Sequence, residues 1–202
     1  CLAYSGSFTA MAQKDQRDQI RVQMGINPYQ FRWCLTEGET FFAPQVILSF
    51  SNQGFSKLSH QYHDILHEHM CRGRYKHERR PVLINNWEAT YFDFNEEKIE
   101  KIAAQAGELG IEMMVLDDGW FGKRDDDNSG LGDWFVNEKK IRGGLPKLSE
   151  KIHEKGMKFG LWFEPEMISE DSDLYRAHPD WAITIPGRVP NHARNQLVLD
   201  MT

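Results

Sequence analysis

Apolar residues change their spacing twice along this chain, and each change marks a different kind of structure. From Gln19 to Met24, apolar Ile20, Val22 and Met24 alternate with polar neighbours. From Phe31 to Leu35, Phe31, Trp33 and Leu35 alternate with Arg32 and Cys34, and a third run, Val46 to Phe50, follows the turn-like Glu37-Gly38-Glu39. A period of two places alternate side chains on one face, so these segments predict half-buried antiparallel strands, with Asn27-Pro28 separating the first two. Residues 1–52 therefore read as the end of an all-β domain.

Helical spacing takes over after Gly54, where Leu58, Tyr62, Ile65 and Leu66 recur and Ser56 is placed to act as an N-cap. The basic stretch Arg72 to Arg80 closes this helix, so residues 53–80 read as a connecting helix and a solvated linker. From Pro81 a third pattern begins. The short apolar run Val82-Leu83-Ile84 ends in Asn85-Asn86-Trp87. Asn95, Glu96 and Glu97 then open a helix predicted to bury Ile99, Ile102, Ala103, Ala106 and Leu109 and to end at Gly110. The strand Met113 to Leu116 follows, then a helix carrying Leu145, Leu148 and Ile152 that stops at Gly156, then the strand Phe159 to Phe163. Strand, helix, strand, helix, strand is the order of a parallel sheet, either doubly wound or closed into a barrel. Polar and aromatic residues end all three strands, which favours a (β/α)8 barrel, whose ligand site gathers at the strands' C-terminal ends.

The second of these strand ends carries the strongest chemical signal. Met113-Met114-Val115-Leu116 runs straight into Asp117-Asp118-Gly119-Trp120. Two acids at the end of a buried strand cost desolvation unless polar groups answer them, and sugar hydroxyls are suited to the task. Gly119 lets the chain turn close to a ligand, and Trp120 offers a flat apolar face. Adjacent strand residues point in opposite directions, so only a bend would bring both carboxylates to one ligand. Substrate binding therefore suits the pair better than the nucleophile and acid of a glycosidase. Asn86 and Trp87 from the first strand, and Trp162, Glu164 and Glu166 from the third, complete a mixture of carboxylate, amide and indole suited to a pyranose. Core packing is the favoured reading for Trp162. Arg194, in the polar stretch Asn191 to Gln196, could clamp hydroxyls or pair with an acid such as Asp117.

Composition narrows the partners. A net charge of −6 without a basic stripe argues against nucleic acid, and no apolar stretch approaches the length of a bilayer span. Cys1, Cys34 and Cys71 are odd in number and fit no zinc spacing, which favours reduced thiols and a reducing compartment. Asp125 to Gly130 opens like a calcium loop, but Val136 stands where the bidentate acid belongs, so a mobile acidic loop is expected. His63 and His67, four apart, lack the Glu of a His-Glu-x-x-His motif and are read as a solvated face. The chain starts at Cys1 and stops just after Leu197-Val198-Leu199, so it reads as an internal fragment whose missing signal peptide is uninformative.

Taken together, five stretches resemble glycoside hydrolase family 36, the bacterial α-galactosidases that cleave melibiose and raffinose with retention. They are Pro81 to Thr90, Val115 to Gly122, Leu131 to Trp134, Phe159 to Met167 and Arg194 to Asp200. The resemblance implies an α/β fold: residues 81–202 as the first βα units of a (β/α)8 TIM barrel, truncated, after the last strands of an N-terminal β-supersandwich. It also implies that Asp117 and Asp118 bind the galactose hydroxyls far from the anomeric carbon, and that Trp87 and Arg194 line the same pocket. The family's nucleophile and acid/base are aspartates on later barrel strands, which would lie beyond Thr202. No catalytic residue is therefore assigned here, and the fragment alone is expected to be inactive. An α-galactoside oligosaccharide is the expected partner, with no cofactor, no metal, a homotetramer by resemblance, and a cytoplasmic location. Two alternatives stay open: a galactosyltransferase of the raffinose or stachyose synthase type, and a degenerate carbohydrate-binding module.

Overall fold

A computed structural model describes residues 1–190 and 194–201, which fall into two compact units, Cys1–Glu78 and Arg79–Thr202. In the first unit, β1 (Phe8–Lys14) and β2 (Ile20–Ile26) form an antiparallel ribbon with Phe8 opposite Ile26 and Lys14 opposite Ile20. Asp15 shapes the turn between them, its Oδ1 accepting from the amides of Arg17 and Gln19 at 2.8 and 2.9 Å. The alternation at Ile20 to Met24 thus marks a strand. Its burial was overestimated, however: Ile20 is 74% and Val22 67% exposed. A ribbon of two strands has no second layer on which to bury a face.

The expected strands at Phe31 to Leu35 and Val46 to Phe50 do not form. Phe31 and Trp33 instead set their rings against Phe41, with centroids 6.2 and 5.2 Å apart. Of the later run, only Val46 makes a bridge, to Leu2. Helix α1 (Gly54–Ile65) follows and ends in a wider π turn over Leu66–Met70. Gln53, not Ser56, is its N-cap residue, and no side chain caps it. Tyr62 and Gln61 tether α1 to the preceding segment through the Ile47 carbonyl and the Ser49 hydroxyl.

The second unit is the mixed α/β part. Strands β3 (Leu83–Asn85), β4 (Met113–Leu116) and β5 (Lys158–Leu161) form a parallel sheet in that order, with Leu83 beside Met113 and Met113 beside Lys158. The short helix α2 (Trp87–Thr90) follows β3, α3 (Glu96–Glu108) precedes β4, and α4 (Gly144–His153) precedes β5. Met114 and Leu116 of β4 are fully buried in one cluster with Ile99 and Ala103 of α3 and Leu148 and Ile152 of α4. Burial of each large aliphatic side chain contributes about 1.5–3 kcal/mol. The other face of β4, Met113 and Val115, is only half-buried.

Local chemistry visible in the sequence bounds α3 at both ends and α4 at its C-terminal end; α4 starts at Gly143 with no side-chain cap. The Asn95 side chain accepts from the Lys98 amide at 3.0 Å, capping α3. At its other end Gly110 (φ 82°) donates to the Gly107 carbonyl, and Ile111 donates to that of Ala106. This is a Schellman turn, and α4 repeats it with Gly156 on His153 and Met157 on Ile152. The turn explains one misplaced core residue. Leu109, expected inside, is 83% exposed because it stands past the last helical turn, and Ile111 enters the core in its place. Beyond β5, β6 (Met167–Ile168) pairs antiparallel with β7 (Leu197–Val198), and α5 (Asp173–Ala177) lies between them in sequence.

Candidate functional site

The C-terminal ends of β3 and β4 are locked together by amide side chains. Asn86 is fully buried; its Oδ1 accepts from the Asp117 amide at 2.8 Å and its Nδ2 donates to Thr90 Oγ1 at 2.9 Å. Both ends of Asn86 are therefore engaged in scaffolding, which displaces the expectation that it meets a ligand. Its neighbour Asn85 faces the acid instead, donating from Nδ2 to Asp117 Oδ2 at 2.6 Å. Asp117 Oδ1 accepts from the Asp118 amide at 2.7 Å. Among the described residues each Asp117 oxygen has one donor, and a second lone pair on each is open to a further donor. Asp117 is half-buried, within reach of solvent.

Asp118 has a different environment. Its carboxylate is gripped by Arg124, whose Nε lies 2.9 Å from Oδ1 and 3.2 Å from Oδ2, and whose Nη2 lies 2.9 Å from Oδ2. The Arg124 side chain is 0% and that of Asp118 6% exposed. Arg124 Nη1 donates to the Ser129 carbonyl at 2.9 Å, and the guanidinium lies 5.6 Å from the centre of the Phe92 ring. Lys140 Nζ bridges the same elbow, 3.1 Å from the carbonyls of both Gly119 and Arg124 and 2.9 Å from Asp125 Oδ1. The segment read as a mobile acidic loop is thus tied at several points, Gly130 also donating to the Asp171 carbonyl at 2.9 Å. Arg124, Lys140 and Asn85 were not singled out from the sequence. The only signal was a lone Lys-Arg pair standing directly before three acids.

The tryptophans divide in the same way. Trp87 is half-buried at the start of α2, meeting Tyr91 and Phe92 edge to face at 5.2 and 5.1 Å. Trp120, expected to present a face to ligand, is instead core: it is 2% exposed, and its Nε1 donates to the Trp162 carbonyl at 3.0 Å. Phe121, Trp134 and Phe163 surround it. Trp162 is partly buried against the same cluster. At the end of β5, Glu164 Oε1 accepts from Gln196 Nε2 at 2.9 Å, while Glu166 is exposed.

Arg194 is exposed, with φ of 55°, and among the described residues it pairs with no carboxylate; Asp117 holds Asn85 instead. Asn191, His192 and Ala193 lie outside the described residues. His67 Nδ1 meets Glu68 at 3.0 Å and its Nε2 the Lys76 carbonyl, and among the described residues no group of three His, Cys, Asp or Glu is placed to hold a metal. All three cysteines are free. Among the described residues no helix is long and apolar enough to cross a membrane.

The ends of β3 and β4 thus carry an accessible carboxylate, a clamped carboxylate and a half-buried indole. Residues 40–202 match the Melibiase family, and residues 1–36 match the glycosyl hydrolase family 36 N-terminal domain. The chain belongs to the Melibiase family. Among its Melibiase relatives, the bifunctional α-galactosidase/sucrose kinase AgaSK of Mediterraneibacter gnavus is 58% identical over 98% of this chain and 21% of its own length. The α-galactosidase AgaA of Geobacillus stearothermophilus is 54% identical over 98% of this chain and 27% of its own. The AgaA crystal structure superposes with a TM-score of 0.95, covering 98% of this chain and 28% of that one. A variant of AgaA was solved in complex with raffinose, with a TM-score of 0.95 and 53% identity to this chain over 98% of its length and 28% of the variant's. The chain thus spans about a fifth to a quarter of the length of these relatives.

Proposed function

We propose that the complete protein is a retaining exo-α-galactosidase that removes terminal α-D-galactosyl residues from oligosaccharides such as melibiose or raffinose. In this reading residues 81–202 form the first three βα units of a (β/α)8 barrel, residues 1–52 the last strands of an N-terminal β-supersandwich, and 53–80 the connection between them. The parallel order of β3, β4 and β5, with polar side chains gathered at their C-terminal ends, supports the barrel. The observation that carries the function is Asp117, held by Asn85 and the Asp118 amide with acceptor capacity to spare at such a strand end.

A carboxylate fixed in this way accepts a hydrogen bond from a sugar hydroxyl and takes no part in bond cleavage. It holds the sugar ring while an aspartate elsewhere in the complete protein attacks the anomeric carbon. A second aspartate protonates the departing oxygen and then deprotonates the water that releases galactose. Trp87 gives the ring an apolar surface, and Arg194 donates to its hydroxyls. The reading includes a homotetramer and a cytoplasmic setting, the latter consistent with three free thiols. Proton NMR of aryl α-galactoside hydrolysis by the complete protein tests the proposal. Galactose should appear first as the α-anomer; no hydrolysis, or the β-anomer first, would overturn it.

A further inference from the structure

Two carboxylates follow one another at the end of β4, yet a single buried guanidinium serves only one of them. Arg124 is fully buried and spends three donors on or beside this elbow: Nε and Nη2 on Asp118, and Nη1 on the Ser129 carbonyl. Its own backbone is fixed as well. The Arg124 amide donates to the Phe121 carbonyl at 3.2 Å, and its carbonyl accepts from Lys140. At Gly130 (φ 82°) a Cβ would stand 3.1 Å from Arg124, so the chain closes tightly over it. The fork grips Asp118 in two places, fixing the plane of the carboxylate rather than merely its charge. Nε donates to Oδ1 at 2.9 Å, with a longer approach of 3.2 Å to Oδ2, and Nη2 donates to Oδ2 at 2.9 Å, so among the described residues a lone pair on Oδ1 stays open.

We propose that Arg124 is a positioning residue for sugar recognition: it aims the remaining lone pair of Asp118 Oδ1 at one galactose hydroxyl, while Asp117 serves another. This deepens the galactosidase reading and rests on it. The arrangement also explains how two acids can stand side by side at one strand end. The guanidinium offsets the charge of Asp118, and neutral amides serve Asp117, so the second carboxylate does not repel the first. Lysine at position 124 would keep the charge but lose the fork, which separates orientation from electrostatics.

The test compares R124K with the wild type in the complete enzyme, using an aryl α-galactoside and its 4-deoxy and 6-deoxy analogues. In the wild type, losing the hydroxyl that faces Asp118 should lower kcat/KM at least about ten-fold, as expected for a hydrogen bond to a charged group. In R124K that discrimination should collapse toward unity for one analogue and persist for the other. A merely structural role would lower kcat/KM for all three substrates by the same factor, leaving both ratios intact, and would overturn the proposal. Should R124K fail to fold, D118N/R124Q leaves no buried charge behind. Its discrimination against the analogue lacking the hydroxyl that faces Asp118 should fall toward unity while the other ratio persists, and retention of both wild-type ratios would overturn the proposal. A wild-type enzyme that hydrolyses no α-galactoside would remove the functional reading and this inference together, an outcome distinct from an active enzyme with unaltered ratios in R124K.

Discussion

Gly119 is the residue on which the geometry of the acid pair turns, and G119A should be costly for two separable reasons. Its φ of 95° is one that side chains with a Cβ adopt at a cost of about 1–2 kcal/mol. An added Cβ would also stand 2.9 Å from Phe92 Cδ1, 3.2 Å from the Arg124 carbonyl oxygen and 3.4 Å from Lys140 Nζ. Relieving such contacts in a packed region costs roughly 1–3 kcal/mol. The two together come to about 2–5 kcal/mol. Gly156 supplies the control: its φ is 74°, and a Cβ there meets nothing within 4 Å, so G156A carries only the backbone part. Urea unfolding of the complete protein, followed by tryptophan fluorescence, should place G119A below G156A by about 1–3 kcal/mol. The relief would also move the Arg124 carbonyl and with it the clamp on Asp118. Loss of kcat/KM on an aryl α-galactoside should therefore exceed about ten-fold for G119A and stay small for G156A. If G119A is no less stable than G156A and keeps its activity, the elbow is not held by these contacts and the reasoning fails.

Two further predictions follow from contacts outside the elbow. The Glu112 carboxyl lies below its ordinary value of 4.5, chiefly because it accepts from the Val82 amide and secondarily from Arg79. A carboxylate with a depressed folded value stabilises fully above its unfolded value and loses that contribution as pH falls through the folded one. The stability gap between wild type and E112Q, measured by urea unfolding, should be constant near neutrality and close below about pH 4.5; a gap that widens with acid would contradict the assignment. Asp133 accepts from the amides of Asp173 and Leu174 at 3.0 and 3.1 Å, capping α5. D133A should therefore cost about 1–2 kcal/mol, and protease cleavage near α5 should rise; unchanged protection would refute the cap.

Much of the second unit could be read from its residues because local signals agreed there. Asn95, Gly110 and Gly156 bound the two helices by capping chemistry that operates within a few residues, and the apolar runs between them had only one element type open to them. Three of the five stretches that resemble family 36, Pro81 to Thr90, Val115 to Gly122 and Phe159 to Met167, overlap the strands of this unit. Readings failed where the answer depended on distant partners. Phe31, Trp33 and Leu35 alternate as a strand should, but alternation supplies no strand to pair with, and Phe31 and Trp33 turned to Phe41 instead. Trp120 looked like a ligand platform beside two acids, yet Phe121, Trp134 and Phe163 enclose it. Arg124 escaped notice because a charged residue in an acidic run reads as solvated. Its burial depends on a bend at Gly119 and a loop closing at Gly130, neither of which periodicity reports.

The central claim is that Asp117 holds a sugar, and calorimetric titration of the complete protein with galactose tests it most directly. The wild type should bind, and D117A should show no measurable heat while keeping a cooperative unfolding transition, lowered by about 1–3 kcal/mol because the Asp118 amide and Asn85 lose their acceptor. Galactose affinity unchanged in a folded D117A would contradict the account.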